Sequence, residues 1–261
     1  MTDKILVFIP CYNCEAQIVR VLGQFTPEIS KNFSEILVLD NQSKDSTLAK
    51  ATQAAANSGL DIIKIAKNKA NYNLGGSHKA AFTYAANNNF THVVVLHGDD
   101  QGRISDLLPV LESGMHRIND ACLGARFMAG SVLKGYSKFR IFGNYVFNIL
   151  FSIGSLSKVY DLGSGLNIFS RSFFTEPQIV NHSDDLRFNV YLLLSALDRH
   201  RKLKYFPITW SEDDQVSNVK MTSQALKTLS ILFEFIFQRN RFRSTDHRDV
   251  KHITYEFEVL N

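Results

Sequence analysis

The sequence predicts an α/β protein with a mostly parallel, doubly wound sheet flanked by helices, followed by a helical extension. Two observations carry this prediction. Short aliphatic runs alternate with helix-period segments through the first half of the chain. Each aliphatic run also ends directly in polar residues, as strands do when their carboxyl ends open onto a ligand crevice. With 261 residues, 45% hydrophobic and 21% charged, the chain is long enough to bury a large core. We expect one domain over 1–215, with a C-terminal helix and basic tail over 216–261 packed on it or extending it.

The elements follow in order. KILVFI (4–9), EILVLD (35–40), DIIKIA (61–66) and THVVVLH (91–97) read as strands, rich in β-branched and aliphatic residues and bounded by polar ones. Helices are expected between them, over 14–25, 46–58 and 75–88. The second half is less regular. Strands are expected at 121–125, at 166–169 after the turn at 163–165, and at 203–206 before Pro207. The stretch 139–153 is apolar but interrupted by Gly143, Asn144 and Asn148. Helices are expected over 184–200, with Ser183 as N-cap, and over 222–237, followed by the basic QRNRFR.

Composition excludes several classes. A net charge of +4 is too weak to argue for nucleic acid, and no basic stripe with interleaved aromatics occurs outside 239–243. Cys11 and Cys14 are spaced CxxC, but the only other cysteine, Cys122, cannot complete a second pair, so reduced thiols in a cytoplasmic protein are expected. The start of the chain reads as a strand rather than a signal peptide, and no apolar run is long enough for a transmembrane helix. The segments 139–153 and 226–237, with Arg140, Arg239, Arg241 and Arg243 alongside, allow a peripheral contact with the inner face of a membrane; ordinary core helices are the competing reading.

The segment VVVLHGDDQ (93–101) carries the chemistry. It runs from aliphatic residues straight into Asp99 and Asp100. Mg²⁺ or Mn²⁺ is typically held by one or two carboxylates together with substrate phosphates, so this strand end suggests a metal-bridged phosphate site. A solvated Asp pair in a loop is the bland alternative.

Together with its companions, this segment resembles the family-two inverting glycosyltransferases of GT-A (Rossmann-like) fold, most closely the dolichyl- and polyprenyl-phosphate sugar synthase branch, over roughly 4–215. VFIPCYNCE is similar to the family's opening motif, which implies that Pro10, Tyr12, Asn13 and Glu15 frame the nucleotide. VLDNQSKDST resembles its second motif and implies that Asp40 accepts hydrogen bonds from a uracil or guanine ring, for which an acceptor-only carboxylate is suited. Asp45 would be either a ligand contact or a helix cap. NYNLGGSHK resembles the segment that approaches the diphosphate sugar, bringing in Asn73, Gly75, Gly76 and Lys79, with His78 as a further basic candidate. Glycines there would allow close backbone approach and free N–H groups at a helix start.

HGDDQ stands where the family has Asp-x-Asp. The match implies Asp99 as metal-binding carboxylate, His97 in place of the first Asp, Asp100 on the substrate side and Gln101 near the sugar or acceptor. LGARF implies Arg126 as a sugar or phosphate contact. YDLGSGLNIFSR is similar to the family's Asp-x-x-Ser-Gly-Phe segment, with Asp161, Ser164 and Gly165 as the matching positions, which implies Asp161 on the acceptor side and Ser164 as a substrate contact. The late loop departs most. Where the branch carries a basic loop over the diphosphate, this chain has ITWSEDDQVSNVK, with Glu212, Asp213 and Asp214 acidic and only Ser217 and Lys220 as partial substitutes. A phosphate acceptor would need no base, whereas a hydroxyl acceptor would, and Asp184, Asp185 and Asp213 are the candidates.

The resemblance therefore implies transfer of a sugar, with inversion, from a UDP- or GDP-sugar to a lipid-linked phosphate or a saccharide hydroxyl in cell-envelope glycan or glycolipid synthesis. Mg²⁺ or Mn²⁺ would be the cofactor. The alternatives are a non-catalytic nucleotide-sugar-binding protein and a sugar nucleotidyltransferase.

Overall fold

The protein is described by a computed structural model covering residues 3–212 and 221–261. Its strands, in chain order, are β1 (Ile5–Cys11), β2 (Glu35–Asp40), β3 (Ile63–Asn68), β4 (His92–Leu96), β5 (Ala121–Ala125), β6 (Val132–Lys134), β7 (Leu166–Ser170), β8 (Leu203–Pro207), β9 (Thr209–Ser211) and β10 (Phe257–Val259). An eight-stranded sheet has the order β10-β3-β2-β1-β4-β7-β5-β8, and β6 pairs with β9 in a small second sheet. The strands β3, β2, β1 and β4 are mutually parallel; β7 runs antiparallel to β4 and β5, and β10 antiparallel to β3.

Every residue of β1 and β4 is buried, which explains their continuous aliphatic character. Side-chain alternation along β1 sends Ile5, Val7 and Ile9 into one layer, with the helices Ile18–Gly23 and Thr47–Ser58. Leu6 and Phe8 enter the other layer, with the helices Asn73–Asn87 and Phe188–Asp198. A third cluster, including Phe151, Leu194, Phe235 and Phe242, joins the helices Lys138–Ser155, Phe188–Asp198 and Met221–Phe237.

Several elements differ from the sequence expectation. The helix expected over 14–25 is only Ile18–Gly23, because Asn13 and Glu15 are engaged by the backbone of the loop after β2. The helix expected from 184 starts at Phe188. Ser183 does not cap it: its hydroxyl donates to Asp185, whose carboxylate also takes the Arg187 N–H and closes a turn. The strands β6, β9 and β10 were not expected. β10 is short, but Phe257 packs on Tyr84, and Asn261 beyond it accepts from the Ile65 N–H at 2.6 Å and donates to the Ile63 carbonyl.

Candidate functional site

The carboxyl ends of β1, β2 and β4 open onto one crevice of about 510 Å³, within the range of small-molecule sites. Pro10 and Cys11 form its floor, with Cys14 beside them; Asn41, Asn71 and Asn73 line one side, and His97 and Asp99 another, with Asp185 and Leu186 also contributing. Gly98 makes the approach of the 97–99 segment to β1 possible. Its N–H donates to the Pro10 carbonyl at 3.1 Å, and a Cβ there would stand 2.6 Å from the Cys11 sulfur. Cys11 and Cys14 are free and buried. The hydrogen bond that the Cys11 thiol gives to Cys14 and its burial push Cys11 well above its ordinary value, and the nearby Asp40 and Asp99 carboxylates add to this, so the Cys11 thiol stays protonated and unreactive.

One wall is a hydrogen-bonded asparagine network. The Asn41 carbonyl oxygen accepts from Asn68 and from the Tyr72 N–H, each at 2.9 Å, and its amide donates to Asn71 at 2.9 Å. The sequence reading passed over Asn41 and Asn71. Their signal was adjacency: Asn41 directly follows the strand-end Asp40, and Asn71 opens NYNLGG.

The loop after β2 is clamped to the loop after β1. The Asn13 carbonyl oxygen accepts from the Lys44 N–H at 2.8 Å, and Glu15 accepts from the Ser46 N–H at 2.9 Å. Asp40 is buried, and both of its oxygens accept from the Ser43 N–H, closing its own turn. Asp45 accepts from the Thr47 N–H and hydroxyl in the turn that enters the helix and from the Glu15 N–H, so its carboxylate ties this turn to the loop after β1. Tyr12 stands half-exposed at the mouth.

The structure brings His97, Asp99 and Asp185 to the crevice and directs other candidates elsewhere. Asp100 turns away: it accepts from Arg20 at 2.7 Å, Gln24 at 3.1 Å and Arg103 at 3.4 Å, so it anchors the loop from behind. Gly75 and Gly76 do not present free amides, because both N–H groups donate to the Asp184 carbonyl. The need for glycine at 75 is a packing need: a Cβ would lie 2.5 Å from the Ser183 carbonyl oxygen. Lys79 is buried beneath, 2.6 Å from Asp184, which also accepts from the Tyr255 hydroxyl; both Lys79 and Asp184 are thereby spent on structure. Arg126 and Asp161 grip each other at two points, and Ser164 is buried with its hydroxyl on the Leu166 carbonyl. Gln101 is buried, donating its N–H to Asp99 and its side-chain amide to Glu212, which Arg140 also engages. Asp213, Asp214, Ser217 and Lys220 lie outside the described residues.

The electrostatics are informative. Among the described residues lining the crevice, the charged side chains are carboxylates, Asp99 and Asp185, with no Lys or Arg. Asp185 accepts from Ser183 and from Arg187; burial alone would raise its carboxyl, but the Arg187 hydrogen bonds outweigh this and hold it below the usual range. Burial, with Arg126 nearby, pushes His97 down to about 4, so it is neutral at physiological pH. Its Nδ1 lies 3.9 Å from Asp99, and its buried Nε2 has no hydrogen-bond partner. A neutral imidazole beside a carboxylate suits a cation better than an anion.

The sequence model of glycosyl transferase family 2 matches residues 6–176. Among solved structures, the chain is similar to glucosyl-3-phosphoglycerate synthase from Mycobacterium tuberculosis. The complex of that enzyme with uridine diphosphate matches with a TM-score of 0.65 at 14% identity, over 89% of this chain and 79% of that one. Its complex with Mn²⁺, UDP-glucose and glycerol 3-phosphate gives 0.64 at 13% identity, over the same shares. Its complex with Mn²⁺, uridine diphosphate and glucosyl-3-phosphoglycerate gives 0.59 at 14%, over 99% of this chain and 87% of that one. At these identities the likeness speaks for the fold, while the family match spans well over half of the chain. With its GT-A fold and a crevice at the strand ends that carries Asp99, the chain belongs to glycosyl transferase family 2 and is a nucleotide-sugar-dependent glycosyltransferase.

Proposed function

We propose that the protein transfers a sugar from a UDP-sugar to an acceptor hydroxyl, with inversion, and that the crevice under Asn41, Asp99 and Asp185 holds donor and acceptor together. The observation that carries this reading is the charge of the crevice. Its described lining offers carboxylates and no Lys or Arg, so a diphosphate is held there only with a cation between. Asp99 and the unpartnered, neutral His97 fit such a cation. Asp99 is the hard oxygen donor that Mg²⁺ or Mn²⁺ prefers, and two of the structural neighbours named above carry Mn²⁺ with UDP-glucose or uridine diphosphate. When bound, the ion would neutralise charge on the departing diphosphate.

The chain's own residues do the rest. The asparagine wall and the clamped loops hold the base and ribose end, with Asp40 behind the turn at Ser43. Gln101, fixed by Glu212, orients the Asp99 carboxylate through its N–H. Asp185 receives the acceptor's hydroxyl hydrogen as that oxygen attacks the anomeric carbon from the face opposite the diphosphate. Its pairing with Arg187 keeps it ionised and aimed. A hydroxyl acceptor is favoured over a lipid phosphate because the described lining has no cationic side chain for a second phosphate.

The exposed faces of the helices Lys138–Ser155 and Met221–Phe237 support a peripheral membrane contact. Phe139, Phe142, Ile153 and Phe237 are each about two-thirds exposed or more. No helix among the described residues is long and apolar enough to cross a membrane. Co-flotation with anionic vesicles at low salt, lost on Phe139→Ser/Phe142→Ser, tests this contact; protein that stays at the bottom of the gradient argues against it.

The functional test is release of nucleoside diphosphate from a panel of UDP- and GDP-sugars with Mn²⁺ and hydroxyl acceptors. Asp185→Asn should lower kcat by about 10²–10⁴ with little change in donor KM. Equal turnover by Asp99→Asn and the native protein would refute the reading.

A further inference from the structure

At the other end of the sheet from the crevice, Asp3, His92 and His116 meet. Asp3 precedes β1, His92 opens β4 beside Ile5, and His116 lies on the short helix Met115–Ile118. One ligand atom from each lies within 4.8 Å of the others. His116 Nε2 is 3.0 Å from an Asp3 oxygen, and His92 Nδ1 is 3.9 Å from the other.

The hydrogen bonds fix the tautomers. His92 Nε2 faces the His116 carbonyl at 3.2 Å, and His116 Nδ1 faces the Val110 carbonyl at 3.3 Å. A carbonyl oxygen only accepts, so both of these nitrogens carry hydrogen. In a neutral ring the other nitrogen is then a bare lone pair. For His92 this is Nδ1, where the Thr91 hydroxyl at 3.0 Å has one hydrogen to share with the Lys4 carbonyl. For His116 it is Nε2, which points at a carboxylate oxygen. Two acceptors 3.0 Å apart need a positive charge between them. Arg117 donates to the same Asp3 oxygen at 2.8 Å, but from an exposed side chain.

We propose that Asp3, His92 and His116 form a second cation site, for a divalent ion of the zinc class. Ligand atoms around a tetrahedral ion bound at about 2.0–2.1 Å stand roughly 3.3 Å apart; His116 Nε2 is 3.0 Å from one Asp3 oxygen, and the three ligand atoms, within 4.8 Å of one another, would draw in slightly around the ion. Both histidines donate their far N–H to a backbone carbonyl, the outer-shell arrangement that aims imidazole ligands at a metal. Two imidazoles and one carboxylate favour zinc over Mg²⁺ or Mn²⁺, so this site and the Asp99 crevice select different ions. The bound ion ties the segment before β1, the start of β4 and the helix Met115–Ile118 into one unit and leaves one coordination position for water. The site is independent of the sugar-transfer reading.

The test uses the full chain carrying Asp99→Asn, so that the crevice carboxylate contributes nothing. Metal-stripped protein is titrated with Zn²⁺ and, separately, with Co²⁺. One equivalent should bind, Co²⁺ should give the intense visible bands of a four-coordinate site, and Zn²⁺ should raise the thermal midpoint. His116→Gln should weaken Zn²⁺ binding by about tenfold or more. Asp3→Asn, a change at a partly exposed side chain that leaves the core untouched, should do the same. Absence of a stoichiometric equivalent and of cobalt bands, or binding unchanged in both variants, would overturn the proposal and leave a protonated His116 as the charge between the acceptors.

Discussion

Arg126 and Asp161 are joined by a fork of two hydrogen bonds, both 2.8 Å, with the Arg126 backbone N–H adding a third to the same carboxylate. The guanidinium also lies over the Trp210 ring, 5.0 Å from its centre. Although it is buried, the Asp161 charge holds its pKa above the ordinary value. Arg126→Ala leaves a nearly inaccessible Asp161 carboxylate uncompensated, and a loss of about 3–5 kcal/mol in urea unfolding is expected. Arg126→Lys keeps the charge but not the fork and should recover only part of this loss. Uridine diphosphate affinity of the folded variant should change far less than in Asp99→Asn.

The pair Lys79–Asp184 makes a similar case at the helix Asn73–Asn87. Burial lowers Lys79 to about 8, against the pull of Asp184. Lys79→Met alone should cost about 3–5 kcal/mol, and adding Asp184→Leu should return much of it, since removing both charges also removes the stranded one. Measured non-additivity near zero would show that the two residues do not depend on each other.

Acid should destabilise the protein well above the carboxylate range. Burial holds His78 and His182 neutral, each lowered to about 3, whereas in the unfolded chain both take up protons near 6.5. The unfolded state then binds more protons below 6.5, so this stability is complete above that pH and is lost as pH falls towards 3. Each histidine contributes a slope of about 1.4 kcal/mol per pH unit well below 6.5. Asp246, held near 2 by Arg248, adds a further loss below about 4. Urea unfolding at pH 7, 6 and 5 should show stability falling with increasing slope, and His78→Phe should flatten the curve. Constant stability from pH 7 to 5 would contradict this.

Gly98→Ala places a methyl group 2.6 Å from the Cys11 sulfur and 3.0 Å from the Pro10 carbonyl. Overpacking of about 1–3 kcal/mol is expected. Donor affinity should fall as well, because the displaced segment carries Asp99. Gly23→Ala, with open space around its Cβ, is the control.

The sheet was legible because β1, β2 and β4 are short aliphatic runs ending in polar residues, and strand-end position alone brought Pro10, His97 and Asp99 to one crevice. The roles of Gly75, Lys79, Asp100, Arg126 and Asp161 were less legible. Their residue types suit phosphate and sugar chemistry, but each finds its partner far along the chain, as Lys79 finds Asp184 and Arg126 finds Asp161. A motif shows type and spacing and leaves such long-range pairing unstated. β10 escaped notice because three residues carry no period, and its place depends on β3 and Tyr84.

The central claim is that Asp99 supports a cation-bridged uridine diphosphate in the crevice. The most direct measurement is the thermal midpoint with uridine diphosphate, with and without Mn²⁺, in native protein and Asp99→Asn. At about 100 times the dissociation constant, binding adds roughly 2.7 kcal/mol. A rise of several degrees that needs both nucleotide and Mn²⁺ and disappears in Asp99→Asn is the expected result. A rise of equal size without Mn²⁺, or in Asp99→Asn, would contradict it.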